Sequence, residues 1–196
     1  MNLLFEVHIT TKTLIETEIP AFEQFCISIN AKPIIIELSK GATAQQPMIS
    51  KVFNCENGQD IHGEIQELVQ LFEAANYPIS RVKIEVPLEM AELATGIFPE
   101  KKGTYFEWHG KLTISNLEVI QQICKKENAH LSKNALKKDV HSKFITIRDY
   151  SSAKAIRNRV NELTKSIETV NHYFKKEEFE YCIYDSNENL DQGWIS

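Results

Sequence analysis

Phe5-Glu6-Val7-His8 returns about a hundred residues later as Phe106-Glu107-Trp108-His109. Around the first copy, Leu3 to Thr10 alternates, with Phe5, Val7 and Ile9 on one side and Glu6, His8 and Thr10 on the other, which predicts a strand with one buried face. Residues two apart on a strand point the same way, so Glu6 and His8 share the polar face, as do Glu107 and His109. A second echo sits at matching positions: Leu38-Ser39-Lys40-Gly41-Ala42 recurs as Leu131-Ser132-Lys133-Asn134-Ala135, each time directly after a predicted second strand. Gly and Asn most readily take a left-handed backbone, so the same turn is expected in both loops. The chain reads as one unit written twice.

The elements follow outward from these echoes. Pro20 with Phe22, Phe25, Cys26 and Ile29 at helical spacing predicts a helix ending near Asn30. Pro33 to Leu38 and Met48 to Phe53 read as a strand and its return, joined by a loop. Asp60 is placed to cap a helix with Ile61, Ile65, Leu68, Val69 and Phe72 on one stripe, and Arg81 to Leu88 alternates as a closing strand. Beyond a junction at Pro99 to Gly103 the order repeats. Tyr105 to Lys111 is a strand, Ser115-Asn-Leu-Glu118 a capping box opening a helix, and Ala129 to Leu131 and Lys143 to Asp149 are strands. Ser151 or Ser152 caps a second helix, and Phe179 to Tyr184 closes the unit.

Strand, helix, strand, strand, helix, strand is the split βαβ pattern. The whole resembles tandem, internally duplicated ferredoxin-like proteins. That resemblance implies an α+β fold of two βαββαβ units, residues 1–98 and 99–185, each an antiparallel sheet with helices on one face. The remaining residues, 186–196, read as a loose polar tail from which Trp194 could dock on the body. This superfold hosts many unrelated functions, so the resemblance names none. No catalytic signature is complete: there is no G-x-S-x-G elbow and no dinucleotide fingerprint.

Composition narrows the class. With 196 residues, 42% of them hydrophobic and few Gly or Pro, the chain is neither disordered nor fibrous. No apolar run reaches the roughly 18–20 residues that span a bilayer, and Glu6 and His8 come too early for a signal-peptide core, so a cytoplasmic protein without a membrane partner is expected. Cys26, Cys55, Cys124 and Cys182 are far apart and form no C-x-x-C pair, which reads as reduced core residues. Residues 1–98 carry 6 Lys+Arg against 13 Asp+Glu, and residues 99–180 carry 16 against 11. Halves of opposite sign attract each other, and without a concentrated basic face nucleic acid is not the expected partner.

In a split βαβ sheet the first strand is central, the helices cover one face and the other face stays open. Parity puts Glu6 and His8 on that face beside Lys83 and Glu85, and Glu107 and His109 beside Glu180 and Cys182, with Thr146 and Arg148 across. The expected function is binding of a small anionic metabolite in a polar crevice between the halves. Lys40, Lys133 and Arg148 would supply charge there, and His8 and His109 orientation; the sequence leaves hydrolase or transferase chemistry undecided. His and carboxylates can hold a divalent metal, but no third ligand at family spacing is present, so no metal is assigned and the cofactor is unidentified. The competing class is a scaffold or interaction module, in which a protein partner or a second copy of the chain docks on the open sheet face or a free edge.

Overall fold

The computed structural model describes residues 2–41, 43–56, 60–98, 104–137, 139 and 141–195. The first half contains strand β1 (Asn2–Thr11), helix α1 (Ile19–Ser28), strands β2 (Lys32–Leu38) and β3 (Gln45–Glu56), helix α2 (Ile61–Ala74) and strand β4 (Ile79–Pro87). A short helix, α3 (Ala91–Ala94), follows. The second half repeats the order with β5 (Tyr105–Thr113), α4 (Leu117–Lys126), β6 (His130–Asn134), β7 (Ser142–Asp149), α5 (Ala153–Glu168) and β8 (Lys176–Asp185). The Pro99 to Gly103 junction and Ala42 of the first loop lie outside the described residues.

The strands do not form the two open sheets expected of a pair of α+β, ferredoxin-like units with helices on one face. They form one closed antiparallel barrel in the order β1-β3-β2-β6-β7-β5-β8-β4. Within each half the edge strands are the second and fourth, and both are claimed by the other half. Ile36, Glu37 and Leu38 of β2 pair with Asn134, Lys133 and Ser132 of β6, and Lys83 to Pro87 of β4 pairs with Asp185 to Glu180 of β8. Unpaired edges carry rows of unsatisfied amides and carbonyls, and closure removes them. The opposite charges of the halves meet along these seams, as where Lys133 Nζ lies 2.6 Å from Glu37 Oε2.

Closure turns the polar sheet faces inward, and the helices cover the outside. Phe5, Val7 and Ile9 of β1 are fully buried against Phe22 and Cys26 of α1 and Leu68 and Phe72 of α2. Trp108 and Leu112 of β5 pack likewise with Ile120 of α4 and Ile156, Val160 and Leu163 of α5. Two hydrophobic cores therefore flank the barrel, one for each half. Local signals place the helices: Asn30 and Asn76, just beyond α1 and α2, take left-handed φ values of 53° and 59°. Asn116, rather than Ser115, caps α4 by accepting from Val119 N, and Ser152 caps α5. Among the described residues no helix is long and apolar enough to cross a membrane.

The two loop echoes diverge. Gly41 has φ +112°, which favours glycine, and a Cβ there would sit tightly, 3.1 Å from the Trp194 backbone nitrogen. Asn134 instead ends β6 as a buried strand residue whose Oδ1 accepts from Leu136 N at 3.0 Å. Trp194 belongs to the terminal segment, which is packed rather than loose. A 3-10 turn at Glu188–Asp191 buries Asp191, and the Trp194 indole donates to Leu131 O.

Candidate functional site

Eight strands enclose a space that side chains just fill, or that retains room for one small ligand. Here a cavity of about 200 Å³ remains. Ile34 and Ile36 of β2, Met48 of β3 and Phe144 of β7 form an apolar wall, and β1, β4, β5 and β8 form a charged one. Of the residues singled out from sequence, Glu6, His8, Lys83, Glu85, Glu107, His109 and Arg148 all line this cavity. Lys40 and Lys133 do not: Lys40 is exposed, and Lys133 is spent on Glu37 at the seam.

The charged wall is layered. Toward one end Arg81 donates to both oxygens of Asp185 and lies 3.0 Å from Asp191 Oδ2, while the Tyr105 hydroxyl donates to Asp185 at 2.7 Å. Arg148 donates through Nε to Glu107 at 2.9 Å and through Nη2 to Asp191 at 2.7 Å, with its guanidinium 3.9 Å from the Tyr105 ring centre. Gln46 also donates to Asp191. The terminal turn thus plugs this end of the barrel. Arg81, Tyr105, Asp185 and Asp191 were not singled out from sequence. Arg81 shares the parity of Lys83 and Glu85 and was findable; Asp191, in a polar tail with no periodicity, gave no signal.

In the middle layer the Lys83 ammonium bridges Glu85 and Glu107, joining the two halves. Burial alone would lower the lysine pKa, but Glu107 and Glu85 reverse this and hold it above the usual value. Burial would raise both carboxyls. Lys83 and the bond from His8 instead bring Glu85 down to about 2, and Lys83, Arg148 and His109 hold Glu107 well below the normal range. His8 Nε2 sits 3.2 Å from Glu85 and 3.6 Å from Glu6, which also accepts from Ser50 Oγ at 2.5 Å. His109 repeats the arrangement: its Nε2 is 3.2 Å from Glu107 and 3.5 Å from Glu180, and Nδ1 meets Thr146 Oγ1 at 2.9 Å. Burial would lower its pKa, yet the bond to Glu107 and the charges of Glu107 and Glu180 lift it to about 9.

Exposure rises toward the other end. Side chains of Arg81, Asp185, Asp191 and Arg148 are at most 5% exposed, whereas Glu6 is 30% and His109 27%. The cavity therefore opens past Glu6, Glu178 and Glu180. Burial and the charges of Glu85 and Glu6 outweigh the pull of His109 and keep the Glu180 carboxyl well above the usual range. Glu85, Glu107 and His109 each offer a ligand atom within 4.8 Å of the others, a spacing a metal ion could span. The Lys83 ammonium already occupies the position between the two carboxylates, so an ion bridging them would have to displace it.

No family model matches the chain, and no curated protein matches it. Several solved structures are similar in outline. A heme-binding protein from Thermus thermophilus is 12% identical over 93% of this chain and 92% of its own, with a TM-score of 0.31. A candidate monooxygenase from Lactobacillus acidophilus is 11% identical over 93% and 94%, with a TM-score of 0.32. An unknown protein from Galdieria sulphuraria is 13% identical over 92% and 99%, with a TM-score of 0.26. Likeness at this level carries no argument about ligand or chemistry, which rest on the residues of this chain alone.

Proposed function

We propose that this protein binds a small organic molecule inside its barrel, entering past Glu6 and His109. The observation that carries the reading is the cavity itself: about 200 Å³ between an apolar wall and a buried ionic network contributed by both halves. Its volume is below the roughly 300–1,000 Å³ of sites for drug-sized compounds, which points to a ligand of metabolite size. A folded barrel does not need these charges. Buried ion pairs are often no more stabilising than apolar residues of similar volume, so a wall built of them favours a role in recognition.

The residues support binding ahead of turnover. Cys182, on the strand that carries Glu180, is fully buried and desolvation pushes its thiol well up, the reverse of an activated nucleophile. Strand addition by a partner has little to work with, because among the described residues the closed ring offers no sheet edge.

A thermal-shift screen of small amines, carboxylic acids, alcohols and phosphates tests this reading. A ligand at about 100 times its Kd stabilises the fold by roughly 2.7 kcal/mol, a shift of several degrees. Ile36→Trp, which fills the cavity, should abolish any such shift. Hits that survive Ile36→Trp would place binding elsewhere and overturn the proposal.

A further inference from the structure

The two halves differ in the cations they set into the cavity wall, and one of these differences names a ligand class. In the first half Glu6 lies opposite Glu85 and His8 opposite Lys83; in the second Glu107 lies opposite Glu180 and His109 opposite Glu178. The hydroxyl partners match too, His8 facing Ser50 and His109 facing Thr146. The lysine is not repeated, and neither is Arg148, since Val52 stands opposite Glu6 where Arg148 stands opposite Glu107. Lys83 bridges the glutamate two residues on in its own strand, Glu85, and the first-strand glutamate of the other half, Glu107. Its counterpart Glu178 is followed two residues on by Glu180, and it turns outward to Lys176 at 2.5 Å. Among the described residues no ammonium bridges Glu180 and Glu6 as Lys83 bridges Glu85 and Glu107; the Lys176 ammonium, 64% exposed and paired with Glu178, acts on both from farther off.

We infer that the ligand of this cavity is a small organic cation with N–H donors, whose ammonium group takes between Glu180 and Glu6 the place that Lys83 takes between Glu85 and Glu107, with its carbon chain on Ile34, Ile36, Met48 and Phe144. The inference rests on the proposed binding function and specifies its ligand. Glu85, 1% exposed, is already engaged by the Lys83 ammonium at 2.7 Å and by His8 Nε2 at 3.2 Å, while His8 Nδ1 on the same wall makes no hydrogen bond. The buried cations leave an anion no such opening, and Lys32, which also lines the cavity, is exposed. Lys83 is held by Glu85 and Glu107, Arg148 by Glu107 and Asp191, and Arg81 by Asp185 and Asp191. Freeing any of them would strand a buried carboxylate. The Glu180 carboxyl, 3.5 Å from His109 Nε2, gains a second counter-charge from an organic cation.

The test is calorimetric titration of the full chain at pH 7 with n-butylammonium, butanoate and 1-butanol at equal ionic strength. The inference predicts binding of the amine alone. Glu180→Gln should weaken it about tenfold or more, the worth of a charge-assisted hydrogen bond. Glu178→Lys, a change at a half-exposed position that restores the first half's lysine, should abolish amine binding and raise Tm. Binding of butanoate in preference to the amine overturns the ligand class while leaving the cavity reading intact, and so does amine binding unchanged by Glu178→Lys. Binding of none of the three, by a protein whose hits in the wider screen all survive Ile36→Trp, overturns both.

Discussion

Glu180 is the residue at which the cost of the site is most readily measured. Its carboxyl has a folded pKa raised above the unfolded value of 4.5, so between those two values the folded state holds a proton that the unfolded state has lost. Stability then falls as pH rises through that window. Glu180→Gln, which mimics the protonated acid, should raise Tm at pH 7, by about 2–4 °C for each kcal/mol recovered, with the gain vanishing near pH 4.5 in a melting series. A Tm that drops would mean that Glu180 is ionised and paired. His109 works in its own window: its pKa is raised from 6.5 to about 9, so its contribution is complete below pH 6.5 and is lost as pH climbs through about 9. The loss is on the order of 3 kcal/mol, and His109→Gln should flatten urea-unfolding free energies between pH 6.5 and 9. Both residues were visible in the sequence, because period-2 alternation fixes which side chains share a face. Their neighbours were less so: Lys40 and Lys133 sit in an echo that reflects chain history and seam pairing, and their side chains never reach the cavity.

At the scale of elements, the two first strands show how a duplicated unit drifts and compensates. Val7-His8-Ile9 of β1 corresponds to Trp108-His109-Gly110 of β5. The indole of Trp108 lies over Gly110, and a Cβ there would collide with the indole edge and with the Phe174 ring. The larger side chain at one position is accommodated by the absent one two residues on. Gly110→Ala should cost about 1–3 kcal/mol in denaturant unfolding, as overpacking does, and less in a Trp108→Phe background, where the edge that the methyl meets is trimmed. Equal costs in both backgrounds would refute the compensation. Helix and strand positions were legible from stripe and alternation. The role of the terminal turn was not, because Asp191 and Trp194 act through contacts with β4, β7 and β6 that leave no local pattern.

The molecule as a whole is defined by what the repeat does with its edges. Each half exposes a second and a fourth strand, and nothing within either half records whether those edges meet solvent, another protein or each other. The pairings that decide it join residues about a hundred apart, Glu37 with Lys133 and Lys83 with Asp185, and pairing partners are not encoded in the alternation of either strand. The open polar face read from sequence is consequently the lining of a closed barrel, and the crevice between halves is its interior. Closure also makes the ionic network continuous, since the Lys83 ammonium from one half is held by Glu107 from the other. The most direct test is a double-mutant cycle on that contact, Lys83→Met with Glu107→Gln, measured by urea unfolding at pH 7. A closed barrel predicts a coupling free energy of at least about 1 kcal/mol between the two changes; additivity within about 0.3–0.5 kcal/mol would mean that the halves do not share an interior.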